Sequence, residues 1–155
     1  MDVNKWNAHK SSRIGDLKVL YRYEEYNTED LIPILRDYFG YCDDISNCPT
    51  IEIWNMLDGC RAAYGLCFEI KYDEVQDEMY LSYLLSWGGP SEELRFYLTR
   101  KSALKRITFV YQDWSEFYEG TLDEDEFTTA TAIFDFCRDC GILVREFKTF
   151  IKRQE

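Results

Sequence analysis

Four stretches in the middle of the chain alternate between apolar and polar positions. Leu66, Phe68, Ile70 and Tyr72 share one face, with Cys67, Glu69 and Lys71 on the other. After a turn over residues 73–78, Met79, Leu81, Tyr83, Leu85 and Trp87 form the next face. Leu94, Phe96 and Leu98 follow Gly88-Gly89-Pro90, and Ile107, Phe109 and Tyr111 follow the basic turn from Arg100 to Arg106. Period two in segments rich in aromatic and β-branched residues predicts strands. Connections of about five to eight residues are too short for parallel crossovers, so the strands should form an antiparallel meander. Residues 16–23 alternate as well, with Leu17, Val19, Tyr21 and Tyr23 opposite Lys18, Leu20 and Arg22, and predict a further strand. Ahead of it, residues 1–13 read as a polar arm around one anchor, Trp6.

Helical spacing occupies the rest. From Glu29 to Phe39, residues Leu31, Leu35, Tyr38 and Phe39 lie on one side, with Asp30 as N-cap, Pro33 in the first turn and Gly40 as the stop. Pro49 opens a second helix carrying Ile51, Trp54 and Leu57, closed by Gly65. Asp123 followed by Glu126 is a capping box flanked by Leu122 and Phe127. Phe127, Ala130, Phe134 and Cys137 share a face up to Gly141. Residues 142–152 fit a strand at Ile142-Leu143-Val144 and a helix at Leu143, Phe147, Phe150 and Ile151 equally well. The expected fold is α+β: an antiparallel β-meander of four to five strands flanked by three to four helices, one domain over residues 1–155.

Composition alters this picture chiefly through charge. The net charge is −11, with 17% aromatic and 46% hydrophobic residues, so the chain is too rich in core material to be disordered. The acid is segregated. Residues 24–93 hold sixteen Asp and Glu to three Lys and Arg, and residues 113–140 hold nine to one. Residues 94–112 hold five bases and no acid. Such a balance repels nucleic acid and anionic membranes and favours a basic protein surface. No apolar run is long enough to span a membrane, and the N-terminus has no apolar segment of a secretory signal. The reading is therefore a cytoplasmic protein with reduced thiols.

Candidate chemistry is sparse. Gly88-Gly89-Pro90 precedes Ser91, Glu92 and Glu93, the wrong charge for a phosphate cradle, and reads as a hairpin turn. Cys137 and Cys140 have the spacing of a zinc pair. Their only complements are Cys42 with Cys48 or Cys60 with Cys67, neither a standard knuckle, so they read as structural thiols. His9 is the sole histidine, which leaves little for a triad. Asp113, Glu116 and Glu119 follow a strand end at helical spacing and could be drawn as a magnesium site, but mostly solvate a surface. Arg95, Arg100, Lys101, Lys105 and Arg106 would have to overcome the surrounding acid to bind nucleic acid, and read as partners of neighbouring carboxylates.

The block LSYLLSWGGPSEELRFY over Leu81–Tyr97, followed by FVYQDW over Phe109–Trp114, resembles a motif in small uncharacterised proteins of phages and mobile elements. In size, acidity and α+β pattern the chain resembles phage-encoded antagonists of host defence, the anti-CRISPR and antirestriction proteins. That class shares no diagnostic motif, so the resemblance assigns no residue a role. It implies a non-enzymatic inhibitor that occupies a basic nucleic-acid-binding surface of a host nuclease or effector complex as a nucleic-acid mimic, without cofactor or metal. The acids expected to carry it are Asp43, Asp44, Asp73, Glu74, Asp77, Glu78, Glu92, Glu93, Glu116 and Glu119. Two alternatives stand beside it: an aromatic-rich interaction module, in one form a homodimer, whose acid serves only solubility, and a small metal-dependent enzyme.

Overall fold

A computed structural model describes residues 3–41 and 44–155. The α+β expectation holds. Helices α1 (Val3–Tyr21), α2 (Thr28–Asp37) and α3 (Thr50–Ala63) precede strands β1 (Cys67–Asp73), β2 (Glu78–Ser86), β3 (Ser91–Leu98), β4 (Leu104–Asp113) and β5 (Glu116–Thr121). Helices α4 (Glu124–Asp139) and α5 (Ile142–Arg153) follow. The strands pair in sequence order, each antiparallel to the next, as a meander. No helix among the described residues is long and apolar enough to cross a membrane.

The N-terminus departs from expectation. Residues 3–21 form one continuous helix, not an arm followed by a strand, which brings the described α-helices to five. The alternation at residues 16–23 is a short sample of a longer stripe. Trp6, Lys10, Ile14, Leu17 and Tyr21 recur every three or four positions, and all five are buried. Lys10 is the one polar member, and it is matched by an acid described below.

Smaller corrections have equally local reasons. Helix α2 begins after Asn27 rather than Asp30, so Pro33 falls inside the helix and forfeits the bond to the carbonyl four residues back. Residues 116–121 form strand β5, so Asp113 and Glu116 face each other across a hairpin instead of lining a helix. The ambiguous segment 142–152 is helical, separated from α4 by Gly141 at φ +90°. A kinked helix pair keeps Leu143 and the partly buried Phe147 and Phe150 on the core.

One face of the sheet packs on the helices. Ile70, Leu81, Tyr83, Leu85, Leu94, Phe96, Leu98, Ile107, Phe109 and Tyr111 join Leu17, Leu20, Leu31, Leu35, Ile53, Leu57, Ile133 and Phe134 in the core. Phe96 stacks on Phe134 of α4 with ring centroids 5.9 Å apart. Trp6 donates its indole N–H to the Phe109 carbonyl at 3.0 Å. Its ring lies so close to β5 that a Cβ on Gly120 would stand 2.6 Å from it, so only glycine fits there. The other sheet face is closed by its own polar side chains.

Candidate functional site

The ten acids expected to form one surface are divided by the fold. Asp43 lies outside the described residues. Glu92 and Glu93 do not reach the surface at all: they are 3% and 6% exposed. As neighbours on a strand they point to opposite faces of the sheet. Glu92 points to α1, where it accepts from Arg13 Nε at 3.1 Å and Nη2 at 2.9 Å, from Ser86 Oγ at 2.9 Å, and meets His9 Nδ1 at 3.2 Å. Burial works to raise this carboxyl. The Arg13 and Ser86 hydrogen bonds outweigh it and hold its pKa below the usual value. His9 also packs on Tyr111, 4.5 Å between centroids. The histidine read as part of a loose arm is thus fixed on a helix against a buried carboxylate.

Glu93 belongs to a network of strand residues on the opposite face. It accepts from Arg95 Nε at 2.6 Å and from the Ser82 hydroxyl. Arg95 also lies 3.6 Å from Glu119 and 4.6 Å from the centre of the Tyr80 ring. Glu119 accepts from Thr108 Oγ1 at 2.6 Å and from the Tyr97 hydroxyl. Burial pushes the Tyr80 phenol up to about 12. No fully buried side-chain nitrogen or oxygen of this cluster lacks a partner, which is the condition for burying polar groups without large cost. The network shields sheet backbone and presents no open acid.

Glu78 is similarly engaged. Arg106 holds it bidentately at 2.7 and 2.5 Å and Lys105 adds 2.9 Å, lowering its pKa to about 2. Of the five bases of residues 94–112, Arg95, Lys105 and Arg106 therefore neutralise carboxylates, whereas Arg100 and Lys101 form no ion pair among the described residues. Of the remaining acids, Asp73 caps the β1–β2 turn through the amides of Val75 and Gln76. Asp77 accepts from the Tyr72 hydroxyl, and Asp44 accepts from the Ser46 hydroxyl and amide. Glu74 and Glu116 are exposed. Glu116 and Glu119 project from opposite sides of β5, so they cannot share an ion with Asp113. Among the described residues, no three His, Cys, Asp or Glu side chains are placed to hold a metal. Cys137 is fully buried and its thiol pKa is pushed up by burial, whereas Cys140 is exposed.

The charge segregation has a structural use that sequence reading missed. Helix α1 is basic, and it is seated on acid. Lys5 reaches Asp113 at 3.4 Å, Arg13 reaches Glu92, Lys10 reaches Glu126 at 2.8 Å, and Lys18 and Arg22 reach Asp125 at 3.1 and 3.0 Å. The Lys10–Glu126 pair is buried on both sides, and Glu126 simultaneously accepts from the Asp123 amide to complete the capping box.

The exposed Glu74, Asp77, Glu116 and Glu124 have no ion pair among the described residues, and the largest such group lies on and around the α2–α3 helix pair. Between residues 23 and 60 the sequence holds nine acids and one base, Arg36, which is bonded to Asp37. Helices α2 and α3 meet at their first turns through the Thr28 and Thr50 hydroxyls, 2.8 Å apart. Glu29 and Asp30 follow Thr28 in the first turn of α2 and Glu52 lies in the first turn of α3 after Thr50 and Ile51, with Glu24 on the preceding short turn and Asp44 on the connecting loop. All five acids are exposed, and none forms an ion pair among the described residues. Ile51, 61% exposed, adds apolar area, and Tyr38, 76% exposed, lies at the other end of α2. Acid at a helix N-terminus is locally favourable, which lets these carboxylates sit together without a cation. Compared with known proteins, the chain matches no family model, no curated protein and no solved structure.

Proposed function

We propose that the protein is a non-catalytic binding protein that lays its α2–α3 pair on a basic, nucleic-acid-binding surface of another protein and excludes nucleic acid from it. The observation supporting this reading is the group Glu24, Glu29, Asp30, Asp44 and Glu52, left exposed without an ion pair while Glu78, Glu92, Glu93, Asp125 and Glu126 are neutralised internally. Dense carboxylates on paired helices offer a basic groove what a phosphate backbone offers, and Ile51, next to Glu52, supplies an apolar anchor. The narrower reading as an antagonist of host defence, with cytoplasmic action, draws on the resemblance of the sequence alone.

The test is capture of partners from a lysate of the source cells by wild-type protein and by a Glu29→Lys/Asp30→Lys/Glu52→Lys variant. Nucleic-acid-binding proteins should be recovered by the wild type, released by added DNA, and lost in the variant. Raising salt from about 0.1 M to about 1 M shortens the Debye length from about 10 Å to about 3 Å and should release them too. A partner that the variant retains at high salt refutes the charge reading.

A second reading has its own observation. Trp87 and Trp114, at the β2–β3 and β4–β5 hairpins on one end of the sheet, are 75% and 95% exposed. Two exposed tryptophans at one end of the sheet suit an aromatic interaction module or homodimer. Trp87→Ser/Trp114→Ser would then abolish the association that the lysine variant leaves intact.

A further inference from the structure

Where α3 ends, the chain turns sharply into the sheet and leaves a cleft of about 680 Å³ between the α3 C-terminus, the β1 edge and the start of α5. Gly65 makes the turn at φ +75°, and a Cβ there would stand 2.5 Å from the Tyr83 ring, so the wall is built on a glycine that no other residue replaces. Tyr21, Phe68, Tyr83 and Phe136 present aromatic surface to this space. Phe68 and Tyr83 are stacked with centroids 4.1 Å apart and planes at 21°. Phe136 meets Tyr21 edge-on at 5.5 Å.

Two guanidinium groups line the cleft: Arg145 is bonded to Glu146 at 3.1 Å, and Arg61 is fixed among the rings. The Arg61 guanidinium lies 4.7 Å from the centre of Tyr21, 4.9 Å from Phe136 and 5.4 Å from Tyr23. Its Nε and Nη2 both donate to the Leu20 carbonyl, at 2.9 and 2.6 Å, which locks the orientation of the fork. Its Nη1 has no acceptor among the described residues. The nearest carboxylate, Asp58, is 3.8 Å from Nη2, half-exposed, and already accepts from Tyr23. Burial pushes the Tyr21 phenol up to about 12, so the hydroxyl beside the guanidinium stays neutral and supplies no anion. A positioned, partly desolvated guanidinium with open N–H groups in an aromatic cleft is a combination that binds anions carried on flat ring systems.

The geometry points to a small-molecule site here, for a planar aromatic anion such as an aromatic carboxylate or sulfonate. The ring system lies against Phe68, Tyr83 and Phe136, and the anionic group meets Arg61. The mouth carries Cys67, an exposed thiol, and Ala62, an exposed small residue. This site is separate from the acidic first turns of α2 and α3, and it stands whether or not they bind a basic partner.

Two dyes of matched ring structure test it: anilinonaphthalene sulfonate, and N-phenylnaphthylamine, which lacks the sulfonate. The wild-type protein should bind the sulfonate at one site per chain, more tightly than the neutral dye, against the repulsion of a net charge of −11. Bound sulfonate should slow iodoacetamide modification of Cys67 and leave Cys48, which does not line the cleft, unchanged. Arg61→Gln should weaken sulfonate binding about tenfold or more and change the neutral dye little, and Ala62→Trp should exclude both. Equal binding of the two dyes, or unprotected Cys67, overturns the inference. Both readouts use the wild-type chain, so they decide the matter even if Arg61→Gln impairs folding.

Discussion

Helix α1 and helices α2–α3 handle charge in opposite ways. Along α1 each described base finds an acid on another element, and two of these contacts, Lys10–Glu126 and Arg13–Glu92, are with carboxylates that are almost fully buried. Along α2 and α3 the acids outnumber the bases, face solvent, and among the described residues meet no cation from another element. The first arrangement welds the N-terminal helix to β3, β4 and α4 across 79 to 116 residues of sequence. The second contributes nothing comparable to cohesion. A uniform charge of −11 would be a statement about solubility. Acid neutralised in one region and left open in another is a statement about where a partner could dock.

The sharpest way to break the comparison is at Lys10. Its ammonium lies 2.8 Å from Glu126 and over the Trp6 ring at 4.8 Å, with little access to water. Lys10→Met leaves the Glu126 carboxylate buried without a cation, and removal of one partner from such a pair costs about 3–5 kcal/mol. Urea unfolding should report a loss of that size. Adding Glu126→Gln should recover part of it, because the amide oxygen still accepts from the Asp123 amide while the unpaired charge is gone. A loss below about 1 kcal/mol, the range of exposed pairs, would mean that α1 is not welded on by charge.

Acid titration is the next largest effect. Glu78 titrates at about 2 in the fold against an ordinary 4.5, and the hydrogen bonds to Arg106 and Lys105 are the cause. Between these values the unfolded chain binds the proton and the folded chain does not, so lowering pH favours unfolding. The stabilisation is complete above about pH 4.5 and is lost as pH falls toward 2. Glu92, also held below its ordinary pKa, contributes with the same sign. Unfolding midpoints measured from pH 6 to pH 2 should fall through this window, and Glu78→Gln should flatten part of the fall. An undiminished slope in Glu78→Gln would place the titrating group elsewhere.

How much of this could be read in advance follows from how local each signal is. The strands of the meander alternate over their own length, and the Asp123–Glu126 box is contained within four residues, so both were legible. The α1 helix was not, because an alternating eight-residue window outweighed a five-turn stripe that contains a lysine. Nothing near Glu92 and Glu93 announces that they are buried. Their partners on the helix side, His9 and Arg13, lie about 80 residues away, and an acidic pair beside a Gly-Gly-Pro turn looks like surface. The acidity of residues 23–60 was plain, but its importance was not. The pairing of Glu78, Glu92, Glu93, Asp125 and Glu126 elsewhere is what makes it stand out. The Arg61 cleft left no trace in the pattern, since its ring residues come from five separate elements.

Charge reversal at the first turns of α2 and α3 should change stability least. Glu29 and Asp30 sit in the first turn of α2 and Glu52 in the first turn of α3. Reversing them to lysine forfeits a favourable interaction with each helix dipole, about 0.3–1 kcal/mol per exposed charge at low salt. The same change removes repulsion among neighbouring carboxylates that have no cation of their own, and each term is screened by salt. The two terms oppose, so the triple variant should unfold within about 1 kcal/mol of the wild type even though three charges have changed sign. Urea unfolding at low and high salt checks this, and the difference between the proteins should shrink as salt rises. A variant several kcal/mol less stable would show that these acids hold the fold, and loss of partner capture in that variant would then say nothing about recognition. With stability preserved, the same loss can be assigned to the surface itself.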